Sequence, residues 1–325
     1  MAASAVQSGV TPMWMVILQR VAAVIPTVLF GTILIFGLVQ IIPGGAAEEV
    51  LGAETSAEAV AVLRAKMGLD RPLHVQYYDW LSSAAKGDLG RSLTDHRNIS
   101  QAIVERLPLT IELSVIALLL SLLIGIPLGV LSAINRHNRI DSAVTSVSGL
   151  GLAMPEFWLA MLAVNFFALK LNWFPATGVP PVDFGWREHV QALVLPSLTL
   201  ASGAAAAIVR FTRSGMLEAL DSSYVRTAWA LGLSPTQIFF RFALKNALIP
   251  LVTVIGIIAA SLFGGAVLVE SVFVIPGLGS MLVTAVLQKD YPTVQSVALV
   301  LTVVFVMISL VVDIGCAMLD PRTRR

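Results

Sequence analysis

Two carboxylates stand inside runs that otherwise carry no charge, and their positions suit them to chemistry. Glu156 lies about midway along the apolar run 142–169, directly after Pro155. Glu270 follows the uncharged run 246–269. An ionisable group inside a bilayer is costly, so it lines a wet cavity, pairs with a neighbour, or stays protonated at a helix contact. For Glu156 the open readings are a cavity wall and a helix contact. For Glu270, near the end of its run, they are a pathway wall and a local or headgroup contact. Pro155 and Pro196 remove backbone hydrogen bonds, which lets carbonyls line a path or simply kinks a helix.

Other chemistry is missing. The sequence has no G-x-x-x-x-G-K-[ST], so it carries no P-loop for nucleotide. It has no nucleophile elbow and no paired carboxylates. His74, His96, His137 and His189 are scattered singly, without metal-ligand spacing. Cys316 is the one cysteine and reads as a small packing residue. No enzyme and no resident cofactor are expected. Charge-poor runs also argue against an ion-coupled carrier with charged relays. No two similar halves are visible, as a repeat-built carrier would show. The energy source is therefore expected on another protein, reached from the inner face.

The elements that position these acids are membrane helices. Of 325 residues 57% are hydrophobic and only 13% charged, and mean hydropathy is +0.85. Soluble chains carry roughly a quarter charged residues, and about 20 apolar residues span a bilayer. The net charge of +1 offers nothing to nucleic acid. Six spans are expected: one within 14–42, then 113–135, 142–169, 190–209, 246–269 and 293–312. A cytoplasmic tail of 1–13 precedes them and one of 320–325 follows. Segment 43–107 is hydrophilic, with seven bases and nine acids. Val60, Leu63 and Met67 recur in it at helical spacing, and Gly68, Pro72, Gly87 and Gly90 punctuate it. Gly125 and Gly129 allow a close helix contact in the second span.

Charge sets the orientation. With the N-terminus inside, the inner face holds eleven bases (Arg20, Arg136, Arg139, Arg210, Arg213, Arg226, Arg241, Lys245, Arg322, Arg324 and Arg325). The short outer loops hold three, Lys170, Arg187 and Lys289. Both termini are expected in the cytoplasm, and 43–107 outside.

The inner break 210–245 contains Tyr224-Val-Arg-Thr-Ala-Trp-Ala-Leu-Gly232-Leu-Ser-Pro235. Asp221-Ser-Ser offers short oxygen side chains for a helix start. Gly232 offers a left-handed stop. Ser234-Pro-Thr-Gln237 offers a capping box with proline at the first helical position. The spacing predicts a short helix over roughly 222–231 with an exposed apolar flank of Tyr224, Val225, Ala228 and Trp229. An ordinary loop is the alternative on these signals alone.

Ordered motifs then converge. Arg226-Thr-Ala228-x-x-x-Gly232 resembles the E-A-A-x-x-x-G coupling loop of ABC importer permeases, with Arg in place of Glu. Tyr224-Val-Arg-Thr-Ala228 resembles the version in the dipeptide, oligopeptide and nickel importers of the DppB/OppB type. Gly68-Leu-Asp-Arg-Pro72, Gln76-Tyr77 and Gly87-Asp-Leu-Gly-Arg-Ser-Leu93 are similar to that family's outer segment. Lys245-Asn-Ala-Leu-Ile-Pro250, Glu270-Ser-Val-Phe273-Val-Ile-Pro276-Gly-Leu-Gly279, Asp290-Tyr-Pro292 and Leu319-Asp-Pro-Arg322 also match. Pro43-Gly-Gly45 departs from the usual Pro-Gly-Asp, and Trp229 and Leu231 replace the usual basic positions.

The resemblance implies an all-α integral membrane protein of the type I ABC importer class. It would have one peripheral span, a five-span core over 108–319, and the outer segment between spans one and two. It implies a bacterial-type inner membrane and a path formed with a second, homologous permease subunit. Two ATPase subunits or domains would carry ATP and Mg, and an extracytoplasmic binding protein would deliver substrate. Tyr224, Val225, Arg226, Thr227, Ala228, Trp229, Gly232 and Leu233 would meet the ATPase. Glu156, Glu270 and Phe273 are candidates for the pathway or gate. Asp88 and Arg91 are candidates for docking the binding protein. The expected cargo is a dipeptide or oligopeptide, with nickel, glutathione or another small ligand as the alternative. A non-transporting scaffold or sensor is the reading from another class.

Overall fold

The computed structural model describes residues 13–41, 57–66 and 70–319. The N-terminal tail 1–12, Pro43-Gly-Gly45, Met67, Gly68, the tail 320–325 and the side chains of Val60, Leu63 and Cys316 lie outside the described residues. The helices in order are α1 (Met13–Ile41), α2 (Ala57–Lys66), α3 (Leu73–Ala85), α4 (Ile99–Ile134), α5 (Arg139–Ala153) and α6 (Glu156–Ala163). They continue with α7 (Trp186–Leu220), α8 (Ser223–Ala230), α9 (Leu244–Val272), α10 (Leu278–Leu287) and α11 (Tyr291–Leu319). Among the described residues there is no strand, only an isolated bridge between Arg91 and Asn98.

Among the described residues five helices are long and apolar enough to cross a membrane, and a bent pair brings the number to six if it counts as one span. That pair occupies the expected span 142–169, and it breaks at Pro155 more sharply than a kinked helix would. α5 and α6, extended by the π-helical turn Val164–Lys170, meet at 102°. Pro155 has no N–H to continue α5, and its ring forces Met154 to extended angles (φ −84, ψ 125). Pro196 behaves otherwise. It is buried inside the unbroken α7, so it frees no segment for a path wall.

Helix α7 is the axis of the fold. In its most apolar stretch 72% of residues are buried, against 6% in α1. Small residues let neighbours reach it. A methyl added at Gly125 would lie 2.6 Å from Ile208, and one at Gly129 2.6 Å from the Thr212 Cβ. The expected small-x-x-x-small face of α4 is thus used against α7. Leu113, Leu193, Leu200, Ile208, Leu251 and Leu262 fill the main core between α4, α7 and α9. α7 also runs on past 209 to Leu220, so Arg210 and Arg213 belong to a helix and not to a loop.

Helix α1 is peripheral and is tied at both ends. Arg20 pairs with Asp313 of α11 at 2.7 Å. Thr32 shares a 2.7 Å hydrogen bond with the Tyr77 hydroxyl of α3. Phe36 packs edge-on against Tyr77 (centroids 5.5 Å) and beside Trp80 (6.1 Å). The outer segment therefore braces span one through α3.

Candidate coupling and translocation site

The short inner helix forms as α8. Its start is not held as expected, because the Ser222 hydroxyl turns back to the Ala219 carbonyl at 2.5 Å instead of capping. Its end is a Schellman turn. Leu233 N–H bonds the Ala228 carbonyl at 3.2 Å, Gly232 N–H bonds that of Trp229 at 3.0 Å, and Gly232 takes φ +77. The Ser234/Gln237 capping box then starts the next turn, Pro235–Gln237, which leads through Ile238–Ala243 into α9.

The apolar flank is split, which corrects the expectation of one exposed face. Val225 and Ala228 are buried against Ile238, with Leu220, Leu233 and Phe242 around them. They anchor α8 to its own chain and are closed to a partner in this structure. Tyr224 and Trp229 keep 41% and 45% of their surface, and Leu231 keeps 75%. Trp229 also meets Phe239 edge-on at 6.4 Å. Arg226 bonds back to the Asp221 carbonyl at 3.0 Å, and Thr227 to that of Ser223 at 3.1 Å.

Glu270 and Phe273 lie in the core of this chain. Glu270 is fully buried. Its Oε1 accepts from Thr110 at 2.7 Å, and its Oε2 accepts from the N–H groups of Gly279 and Ser280 at 2.7 and 3.1 Å. The acid thus holds the start of α10, where free N–H groups favour negative charge. A side chain at Gly277 would overlap the carboxylate. Phe273 is 2% exposed, and its carbonyl accepts from Gly178 at 2.8 Å. The next residue, Val274, is β-branched and left-handed at φ 52, a strained turn clamped on both sides.

Glu156 opens α6 at the break, half-buried. Its carboxylate fills the notch left by Gly265 of α9, where a side chain would overlap it, and lies near Gly203 of α7. The structure therefore gives it a helix contact among small residues.

In the segment between the first two spans Asp88 and Arg91 are exposed. Asp88 accepts from the N–H of Gly90 at 3.0 Å, which folds its loop locally. That loop is secured by a residue 197 positions away. Buried Asp290 accepts from Leu93 N–H at 3.1 Å and from Thr293 at 2.7 Å. Two separate sequence motifs thus close on each other around a cavity of about 100 Å³.

Sequence reasoning passed over the inner acid Asp141, which takes both oxygens of its carboxylate to Arg213. Asp141 stands in the first turn of α5 after the cap Asn138, a visible signal. Arg213 was hidden because the charge at 210–213 suggested a loop. His189 was passed over as well, and its two ring nitrogens lie 2.7 Å from the Pro180 carbonyl and 3.0 Å from Glu112.

Residues 125–325 match the model of the binding-protein-dependent transport system inner membrane component, and residues 13–114 match its N-terminal companion. This chain belongs to that family. A Brucella abortus (strain 2308) protein named as a peptide transport system permease is 42% identical over 311 residues, covering 95% of this permease and 98% of the relative. The glutathione transport system permease protein of Salmonella typhimurium is 36% identical over 308 residues, with coverages of 95% and 98%. A chain from an inward-facing MetNI methionine ABC transporter aligns with TM-score 0.57 at 19% identity, covering 68% of this permease and 97% of that chain. The likeness shows the shared importer-permease fold. The permease is accordingly a multi-pass subunit of a binding-protein-dependent ABC importer that works with ATPase partners.

Proposed function

We propose that this permease forms one half of the translocation path of an ATP-driven peptide importer, with α8 as the cytosolic helix that receives the ATPase. The observation that carries this is α8 itself. It is anchored through Val225 and Ala228, and it offers Tyr224, Trp229 and Leu231 to solvent. An exposed aromatic flank on a short, firmly held helix fits a protein groove. ATP and Mg belong to two ATPase subunits or domains, and this chain needs no cofactor of its own. A second, homologous permease completes the path, and an extracytoplasmic binding protein loads it. Closure of the ATPases moves α8, and α8 moves the end of α7.

Both termini and α8 face the cytoplasm in this reading, as the excess of inner bases supports. Asp88 and Arg91 are the proposed contacts of the binding protein. A peptide cargo follows the more similar relatives. Glutathione, itself a small peptide, is the alternative, since a 36% identical relative is named for it. The deciding experiment is to purify the cognate binding protein, identify its bound ligand by mass spectrometry, and measure uptake of that ligand into proteoliposomes holding the whole complex. Peptides bound and imported support the reading. A bound nickel ion, or a complex that imports nothing, contradicts it.

A further inference from the structure

The inner ends of three long helices meet at one buried carboxylate. Asp141, in the first turn of α5, is 6% exposed. Arg213 of α7 donates to it twice, Nε to Oδ1 at 2.7 Å and Nη2 to Oδ2 at 2.8 Å. The Ser132 hydroxyl, near the end of α4, donates to Oδ1 at 2.5 Å. The N–H of His137, in a left-handed turn at φ 66, donates to Oδ2 at 3.2 Å. A bidentate guanidinium–carboxylate pair fixes angle as well as distance. Burying such a pair adds little net stability compared with an apolar contact of equal size, so stability alone does not call for it.

Its location suggests the use. Arg213 is about two turns from the end of α7, and α8 begins three residues after that end. Asp221, between them, is bonded by Arg136 at 3.4 Å. α4 and α7 touch at methyl distance through Gly125 and Gly129. Together α4, α7 and α8 form one connected piece. Helix α5 is the first half of a bent helix pair, and its far end meets the second half at 102°. At 1.5 Å per residue, α5 is a lever of roughly 22 Å. Asp141 holds one end, and the break beside Glu156 is the other.

We infer that the Asp141–Arg213 pair is the tie through which a displacement of α8 is passed to the bent helices. Asp141 and Arg213 are then positioning residues for coupling, and the inference rests on α8 being the ATPase-docking helix. Movement at the end of α7 carries Arg213. The paired carboxylate turns α5 with it, and the Met154–Pro155 break takes up the rotation.

The test uses the complete complex in proteoliposomes with loaded binding protein. Asp141→Asn is expected to assemble with all partners and to hydrolyse ATP within twofold of wild type. The ATP used per substrate imported should rise at least fivefold. Arg213→Lys, which keeps the charge but loses the fork, should raise the ratio two- to fivefold. The exchanged pair Asp141→Arg with Arg213→Asp should recover uptake that either reversal alone abolishes. Trp229→Ala, measured in parallel, tests the docking helix itself and should weaken ATPase retention, which the Asp141 variants leave unchanged. A wild-type ratio in both Asp141→Asn and Arg213→Lys overturns the tie. So does loss of assembly in Asp141→Asn beside full coupling in Arg213→Lys, because the pair is then only structural.

Discussion

The permease buries Glu270 and Asp141 in its core, and the two differ in one kind of partner. At the outer end Glu270 has its close partners in hydroxyl and backbone donors, from Thr110, Gly279 and Ser280. At the other end Asp141 has a hydroxyl and a backbone donor too, from Ser132 and His137, and adds to them the charged fork of Arg213. The backbone donors to Glu270 belong to the first turn of α10, only nine and ten residues further along the chain, so this acid fixes a local shape. A guanidinium on another helix can be carried along, so the inner acid links bodies. The contrast teaches that burial alone does not mark a working acid. The origin of its partners does.

The sharpest break of this contrast is Glu270→Ala. It strips two buried donors, Thr110 and Gly279, and the half-buried Ser280 N–H of their acceptor, at about 1–3 kcal/mol for each buried one. We expect the largest effect here, a loss of the folded subunit from the membrane, read as abundance and as thermal unfolding in detergent. Glu270→Gln keeps one carbonyl for the α10 N–H groups and should cost only about 1 kcal/mol. Equal loss in both variants would mean that the charge, and not the hydrogen bonding, is what α10 needs.

A middle-sized effect is expected at the brace. Tyr77→Phe removes the bond to Thr32 and keeps the ring against Phe36, costing about 0.5–1.5 kcal/mol. A fall in thermal midpoint with unchanged uptake would confirm that α3 supports span one. Loss of binding-protein affinity instead would move α3 into the docking surface. The smallest expected effect on stability is Asp88→Lys on the exposed outer loop. We expect at most about 0.5 kcal/mol, since exposed substitutions usually stay within that range. Binding-protein affinity should nonetheless drop about tenfold. Unchanged affinity would leave the outer segment as a brace alone.

Orientation has its own check. A membrane-impermeant thiol reagent in intact cells should label Ser83→Cys and spare Ser223→Cys, both at exposed positions. The reverse pattern would invert the whole comparison.

Much of this was legible in the sequence, for physical reasons. Gly232, Ser234, Pro235 and Gln237 each have a backbone preference strong enough to act locally, and the helix stop and the next start fall where they predict. The uncharged runs gave five crossings directly. The 102° break was only half visible, since Pro155 and Pro196 look alike in sequence. One ends a helix and the other is carried inside α7, where packing holds the chain straight. The roles of Glu270 and Phe273 were out of reach, because their partners come from residues 110, 178 and 279–280. The same holds for Val225 and Ala228, whose burial depends on Ile238 beyond the turn.

The central claim is that α8 transmits ATPase motion, and Gly232 tests it most directly. At φ +77 a β-branched residue is strained by roughly 1–3 kcal/mol. Nothing lies within 4 Å of an added Cβ, so the first carbon of the new side chain adds no clash to the strain in the turn. The measurement is ATP hydrolysis with and without loaded binding protein, together with substrate uptake, in proteoliposomes carrying Gly232→Val. The account predicts a normally inserted permease that has lost stimulation, uptake or its ATPase. Wild-type stimulation with wild-type uptake would contradict it.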